Sequence, residues 1–328
     1  MTAARILADY ARLSPDLVIQ AVESTGRWSD ARVFALNSYE NRVYQVGMED
    51  GLPLVAKFYR PQRWSDAQLR EEHDFTRALA EAELPVIAPL ADATGETLFR
   101  HGDYRFALFA RKGGQGMEAG DLDQLHRIGM LLGRMHAVSR RQAFTARPAL
   151  TAERYLEQPA RQVSTMLPAH LSDRHARAIA ALRERIAASG LSACPGLRSQ
   201  GDCHPGNILW TRDDGPWLLD FDDCQTAPAV QDLWMLLSGE RHEQELQLAE
   251  LLDGYQSFCD FDSRELALIE PLRALRLVHY AGWLAARWSD PAFPAAFPWF
   301  GSVSWWQEHV AGLEAQVERM DEPPLRLL

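Results

Sequence analysis

Gln200-Gly201-Asp202-Cys203-His204-Pro205-Gly206-Asn207-Ile208-Leu209, followed by Leu218-Leu219-Asp220-Phe221-Asp222, is the stretch around which this chain is organised. Two short apolar runs, Ile208–Trp210 and Trp217–Leu219, read as the strands of a hairpin turned at Arg212-Asp213-Asp214-Gly215. Hairpin strands run antiparallel, so groups that precede the first and follow the second lie at the same end. Asp202, Asn207 and Asp220 therefore converge on one small volume. Two hard oxygen ligands plus a further carboxylate suit Mg2+, which keeps several waters and leans on few carboxylates plus substrate phosphates. Turn capping accounts for Asp213 and Asp214. It does not account for the acidic groups crowded at the other end.

The pattern Gly201-Asp202-x-His204-x-x-Asn207-x-Leu209, then Asp220-Phe221-Asp222, resembles the catalytic and metal loops of the aminoglycoside/choline kinase family, which shares the protein-kinase fold. Protein kinases write these loops H-R-D-x-x-x-x-N and D-F-G. The Asp-to-Asn spacing is the same, and Asp222 stands where kinases have Gly. The family usually has His where this chain has Gln200. That His is thought to hold the loop backbone, and Gln can donate and accept hydrogen bonds but cannot titrate. The stretch Leu36–Gln45, the Asp290-Pro-Ala-Phe-Pro run and the Phe297-Pro-Trp run resemble a bacterial stress-response kinase branch of the family. The resemblance runs from Leu36 to the closing Pro323-Pro324-Leu325.

Composition sets the outer limits. The 328 residues, 47% apolar and 24% charged, have room for about two domains of a globular protein with a real core. A formal net charge of −11 argues against nucleic-acid binding, which leaves a basic footprint. Cysteines at 194, 203, 224 and 259 form no C-x-x-C or zinc spacing, so they read as reduced thiols of a cytoplasmic protein. Cys203 and Cys224 flank the proposed site and read as small packing residues. No segment has the build of a signal peptide, and no apolar run would span a bilayer.

Ser14-Pro15 and Gly26 bracket a helix over Asp16–Thr25. Val33–Leu36, Val43–Val46 and Leu54–Tyr59 read as strands. The loop Asn37–Asn41 between the first two is, as plain chemistry, a polar turn; by the resemblance it covers the nucleotide phosphates, with Ser38 offering its hydroxyl or N–H. Lys57 carries independent information, because Lys57 and Lys112 are the only lysines and all other basic residues are Arg. A Lys inside Val55-Ala56-Lys57-Phe58 points to a need for a compact ammonium, and it matches the V-A-I-K strand whose Lys pairs phosphates and a helix Glu. Lys112, beside Gly113-Gly114, reads as a surface residue. A helix capped by Ser65 runs from Asp66 to Glu83. Glu72, Phe75 and Leu79 share one face, so Glu72 is the expected partner of Lys57, with Glu71 as the alternative.

Leu98–Arg100 and Tyr104–Ala110 close this N-terminal part. The composition breaks at Gly113-Gly114-Gln115-Gly116, and the hinge is placed there; by the resemblance, backbone groups near Phe109 and Arg111 hold the adenine edge. Leu122–Val138 has one apolar helical face, on which His136 reads as a packed residue. Gln231–Leu237 reads as an apolar helix headed by Asp232, which in the family braces the catalytic loop. There is no A-P-E and no room for a long activation loop, which implies a kinase active without loop phosphorylation. The C-terminal aromatics Trp283, Trp288, Phe293, Phe297, Trp299, Phe300, Trp305 and Trp306 read as core packing, with a cage for a quaternary amine as the other reading.

These observations lead to an α+β, two-lobed protein-kinase-like fold. Residues 1–111 would form a small antiparallel-sheet nucleotide lobe and 112–328 a mainly helical catalytic and acceptor lobe, with ATP and Mg2+ between them. The resemblance implies Asp202 as the proton acceptor, Asn207 and Asp220 as Mg2+ ligands, and Lys57 and Ser38 on the phosphates. It also implies a Ser or Thr hydroxyl of a protein as acceptor. A small-molecule alcohol is the second reading, and an inactive kinase-like binding module a third. A monomer with no nucleic-acid or membrane partner is expected.

Overall fold

β-branched and aromatic residues between Ser29 and Ala110 build a five-stranded antiparallel sheet in the order β1-β2-β3-β5-β4. The strands are β1 (Ser29–Leu36), β2 (Arg42–Met48), β3 (Leu54–Phe58), β4 (Phe99–His101) and β5 (Tyr104–Ala110). The computed structural model describes residues 13–327. α1 (Pro15–Glu23) starts at Ser14, whose hydroxyl accepts from the Leu17 N–H. It packs Val18 and Val22 against Val46, Ala56, Phe58, Phe106 and Leu108 of the sheet. Side chains alternate along a strand. Ala56 and Phe58 therefore enter that core while Lys57, opposite Val43 and Ala107, points to the other face. On that side stands α2 (Asp66–Glu81), opened by a reciprocal Ser65–Gln68 capping box and burying Leu69, Glu72, Phe75 and Leu79.

The chain divides into two compact units, and the division differs from a cut at residue 111. The first unit takes the described residues up to Met117 with Phe144–Arg147 and Gly206–Asp223. Hydrogen bonding explains the grouping. β6 (Gln115–Gly116) pairs with β8 (Ile208–Thr211), β8 pairs with β9 (Gly215–Leu218), and Leu218 bridges to Val86.

The second unit takes Glu118–Ala143, Pro148–Pro205 and the chain from Cys224 onward. It holds α3 (Leu122–Ser139), α4 (Gln158–Ser164), α5 (Ser172–Ala188), α6 (Arg241–Gln256), α7 (Ile269–Arg287), α8 (Ala292–Ala296) and α9 (Val303–Arg319). A small antiparallel pair, β7 (Leu197–Ser199) and β10 (Gln225–Ala227), lies among them. Most of the aromatic run packs together: Phe293, Phe300 and Trp306 are buried with Leu284 and Val310, Trp283, Trp288, Phe297 and Trp305 pack half-buried against them, and Trp299 is exposed. The expected apolar helix headed by Asp232 does not form. Two short 3-10 turns, Ala229–Asp232 and Trp234–Leu236, take its place. Ala229, Val230, Leu233, Trp234 and Leu236 are all buried, so the segment has no exposed face to complete an amphipathic helix. The short stretch after Asp223 is occupied by β10 and these turns.

α3 and α6 approach through glycine. A Cβ on Gly129 would overlap the Leu251 carbonyl oxygen, one on Gly133 that of Tyr255, and one on Gly254 that of His126. Gly133→Ala is expected to destabilise the protein by about 1–3 kcal/mol through overpacking. Gly312→Ala, on α9 with open space around its Cβ, should instead stabilise it by about 0.5–1 kcal/mol. Urea midpoints of the two variants check the contrast; equal shifts would remove the steric account.

Candidate functional site

A pocket of about 440 Å3 opens within the first unit. Its wall holds Ser38 from the β1–β2 loop, Lys57 from β3, Glu72 from α2, and Phe109 and Arg111 at the end of β5. Asn207 and Asp220, flanking the β8–β9 hairpin, complete it. Of the candidate nucleotide, metal and catalytic residues, these seven line the pocket, whereas Asp202 belongs to the second unit.

Lys57 is 7% exposed, and its ammonium lies 2.7 Å from Asp220 Oδ1 and 3.5 Å from Asp222 Oδ1. Burial alone would depress its pKa; the charges of Asp220, Asp222 and Glu72 outweigh this and hold it well above the usual value. The direct partners are therefore the two aspartates, whereas Glu72 acts on the ammonium through space. Asp220 has a left-handed backbone, φ 49°, and its Oδ1 accepts the N–H of Asp222. An Asx-type local bond is how aspartate tolerates that conformation.

Asp222 is the hub of this site. Its carboxylate takes hydrogen bonds from Arg63 and from the Asn41 amide at 3.1 Å, and its carbonyl accepts from Arg147 at 2.5 Å. Burial raises its pKa, but Arg63, Lys57 and Arg147 outweigh burial and hold it far below the carboxylate range. Arg147 also stands 4.0 Å from Glu72. Glu71, the alternative partner of Lys57, is engaged elsewhere: it accepts the N–H groups of Thr145, Ala146 and Arg147 and so delivers Arg147. The phosphate-loop candidate is braced from below, since Arg60 donates to the carbonyls of Glu40 and Tyr39 while its N–H donates to Asn41 Oδ1. Asn41, Arg63, Arg147 and the role of Asp222 escaped the sequence reading. Only Asp222 carried a signal there, as an acid in place of the kinase Gly. Lys112, read as a surface residue, is half-buried and also lines this pocket, paired with Asp214 and resting 3.9 Å over Trp217.

In the second unit the Asp202 loop is held by Asp232, which is 0% exposed. Its carboxylate accepts from the N–H groups of Gln200 and Gly201, both at 2.9 Å, and from the Ser199 hydroxyl at 2.8 Å. His136 lies 2.9 Å from the same carboxylate and 2.8 Å from the Tyr255 hydroxyl. His136 is thus a packed residue with a bracing role that its place on an apolar face did not reveal. Gln200 accepts the Asp202 N–H through Oε1 at 2.8 Å, and Gln231 donates to the Gly201 carbonyl. The Asp202 carboxylate meets Arg276 and, at 3.4 Å, His204. Burial raises its pKa; the His204 hydrogen bond and the Arg276 charge prevail and lower it. Cys203 and Cys224 are fully buried packing residues. Among the described residues no helix is long and apolar enough to cross a membrane.

Burial lifts Glu72 to about 7, with Lys57 opposing and Asp222 reinforcing. The unfolded chain releases this proton near 4.5 while the folded one keeps it to about 7. The contribution is therefore complete below the first value and lost as pH rises through the second. Relative to Glu72→Gln, the parent should lose stability on the order of 3 kcal/mol across that interval. Urea titrations of both proteins at pH 4.5 and pH 8 measure it, and a constant difference would refute it.

The model of the APH phosphotransferase enzyme family matches residues 32–269. Stress response kinase A of Escherichia coli (strain K12) is 43% identical over 320 residues, covering 97% of each chain. The serine/threonine protein kinase RdoA of Salmonella typhimurium (strain LT2) is 43% identical over 321 residues, also covering 97% of each. Among solved structures, the amicoumacin kinase hAmiN, in complex with AMP-PNP, Ca2+ and Ami, superposes with a TM-score of 0.75 at 19% identity over 96% of both chains. A microcompartment-associated aminopropanol kinase superposes with a TM-score of 0.71 at 19% identity, covering 95% of this chain and all of the other. These two likenesses establish the protein-kinase-like α+β fold. With the family model spanning most of its length and relatives of this identity spanning nearly all of it, the chain belongs to the phosphotransferase enzyme family.

Proposed function

We propose that the protein is a kinase that transfers the γ-phosphoryl group of Mg-ATP to a Ser or Thr hydroxyl of a protein in the bacterial stress response. The observation that carries this reading is the gathering of a buried ammonium, Lys57, with Asp220 and Asn207 on one pocket wall. The names of the relatives, matched end to end, support the protein acceptor. A small-molecule alcohol is the second acceptor class, since the solved structures that share the fold include an amicoumacin kinase and an aminopropanol kinase.

The donor chemistry suits a divalent cation. Asp220 is half exposed and Asn207 offers an amide oxygen, both hard donors. Among the described residues no group of three or more His, Cys, Asp or Glu could hold a metal without other help. A small, hard cation held by one or two side chains and by substrate phosphates fits that set. When bound, it supplies charge neutralisation on the phosphates.

The chain's own residues do the rest. Lys57 is charged and steadies the phosphates; Asp220 and Asp222 fix where its ammonium sits. Ser38 caps the phosphates, and backbone groups near Phe109 and Arg111 hold the adenine edge. Asp202, with a lowered pKa, is ionised at neutral pH and a weak base. It orients the acceptor hydroxyl and takes its proton late, which suits a loose transition state in which positioning dominates.

Asp202→Ala is expected to lower kcat by roughly 10^2–10^4-fold while leaving Mg2+-dependent nucleotide affinity intact. Asp220→Ala should be comparably inactive and lose the Mg2+ effect on nucleotide affinity. Nucleotide titrations with and without Mg2+, beside transfer of labelled phosphate to serine or threonine of a generic protein, measure both. An Asp220 variant that keeps the metal effect while the Asp202 variant loses it would reverse the assignment. Label appearing only on small alcohols would end the protein-kinase reading.

A further inference from the structure

α7 is a basic helix in an acidic protein. From Pro271 to Arg287 it carries Arg273, Arg276 and Arg287 and no Asp or Glu, within a chain of net charge −11. Arg273 pairs with Glu270 at the helix start, and Arg287 lies 5.5 Å over the Trp283 ring. Arg276 does something different: its guanidinium donates to Asp202 Oδ1, while His204 approaches Oδ2. The Arg276 side chain is 45% exposed, so the pair is open to whatever approaches Asp202.

We propose that Arg276 is a specificity-determining residue, selecting neutral or acidic polypeptide segments and rejecting cationic acceptors. This rests on the reading of Asp202 as the group that receives the acceptor hydroxyl. A bare carboxylate draws cations. One already bonded to a guanidinium has its charge cancelled. A cationic alcohol needs carboxylates to seat its ammonium groups, and α7 offers none beyond Glu270. A serine flanked by acidic residues gains from the same arrangement, since Arg276 presents a planar fork suited to carboxylates.

The aromatic side chains that continue along the helix agree. Tyr280, one turn beyond Arg276, is 42% exposed and stacks on Trp283 at 5.9 Å. Trp283 is spent on Phe293 at 5.0 Å and Phe297 at 5.6 Å, both edge-on. Its faces are therefore committed to packing and do not form an open cage for a quaternary amine. Tyr280 remains as an exposed surface for an apolar side chain of a peptide.

The test compares two serine peptides, one flanked by aspartates and one by arginines, with an aminoglycoside as cationic small alcohol. The parent should favour the acidic peptide in kcat/KM by on the order of tenfold, through KM and with loss at high salt. Arg276→Glu should invert the ranking, Arg276→Gln flatten it, and Arg276→Lys retain it. An unchanged ranking in Arg276→Glu, or equal use of both peptides by the parent, overturns the filter and leaves the protein-kinase reading standing. Phosphorylation of the aminoglycoside but of neither peptide overturns both. A second readout needs no peptide. Within its unit Asp202 faces His204 and Arg276, and loss of Arg276 should move the acid limb of ATP turnover to higher pH in Arg276→Gln, with recovery in Arg276→Lys. An unmoved limb overturns the action of Arg276 on Asp202.

Discussion

Sinking the Lys57 ammonium beneath the sheet is the constraint from which the rest of the first unit follows. An isolated buried charge is prohibitively costly, so it must be paired. Asp222 pairs with it from a position of its own near-complete burial, and thereby requires cations in turn, which Arg63 and Arg147 supply. Glu72, also buried, leans on Lys57 and Arg147. Arg147 is delivered because Glu71 grips the backbone at 145–147. Asn41 ties the β1–β2 loop to the same carboxylate. Each compensation recruits a segment distant in sequence, so one buried charge fixes the position of four.

The second unit applies the same logic with the sign reversed. Asp232 is a fully buried anion, and it is satisfied by backbone N–H groups and a hydroxyl rather than by a cation fork. Those donors belong to Ser199–Gly201, so satisfying the carboxylate shapes the loop that carries Asp202. His136, itself anchored by Tyr255, completes the shell. Held this way, the loop is ordered by contacts from its own chain, and the short connection beyond Asp223 is filled by β10 and two 3-10 turns.

Much of this was legible in the residues. β-branched and aromatic composition placed the strands, Ser14 and Ser65 marked helix starts, and the motif carrying Asp202, Asn207 and Asp220 pointed to the fold. The misses share a cause. Arg63 and Arg147 lie in irregular segments whose composition resembles any solvated surface, and only tertiary contact turns them inward. The Asp232 segment has helical composition, but burial on every side defeated the periodicity that a surface helix requires. Lys57 lies in the pocket wall, but its direct partners are Asp220 and Asp222 and not the expected Glu72, because a helix face says which way a side chain points and not which of several carboxylates arrives first. The aromatic run packs largely as the core it was read to be, with Trp299 left exposed.

Writing almost every cation as arginine leaves this protein with an unusual nucleophile inventory. Lys57 and Lys112 are its whole set of side-chain amines, and arginine does not react with acylating reagents under mild conditions. One of the two amines is clamped deep in the pocket wall by Asp220; the other, a more exposed residue of the same lining, is tethered by Asp214 and Trp217. Amine-directed labelling thus has two side-chain addresses in 328 residues, and they differ in accessibility. Both line the same pocket, so its occupancy becomes readable as joint protection of the only two side-chain amines on the molecule.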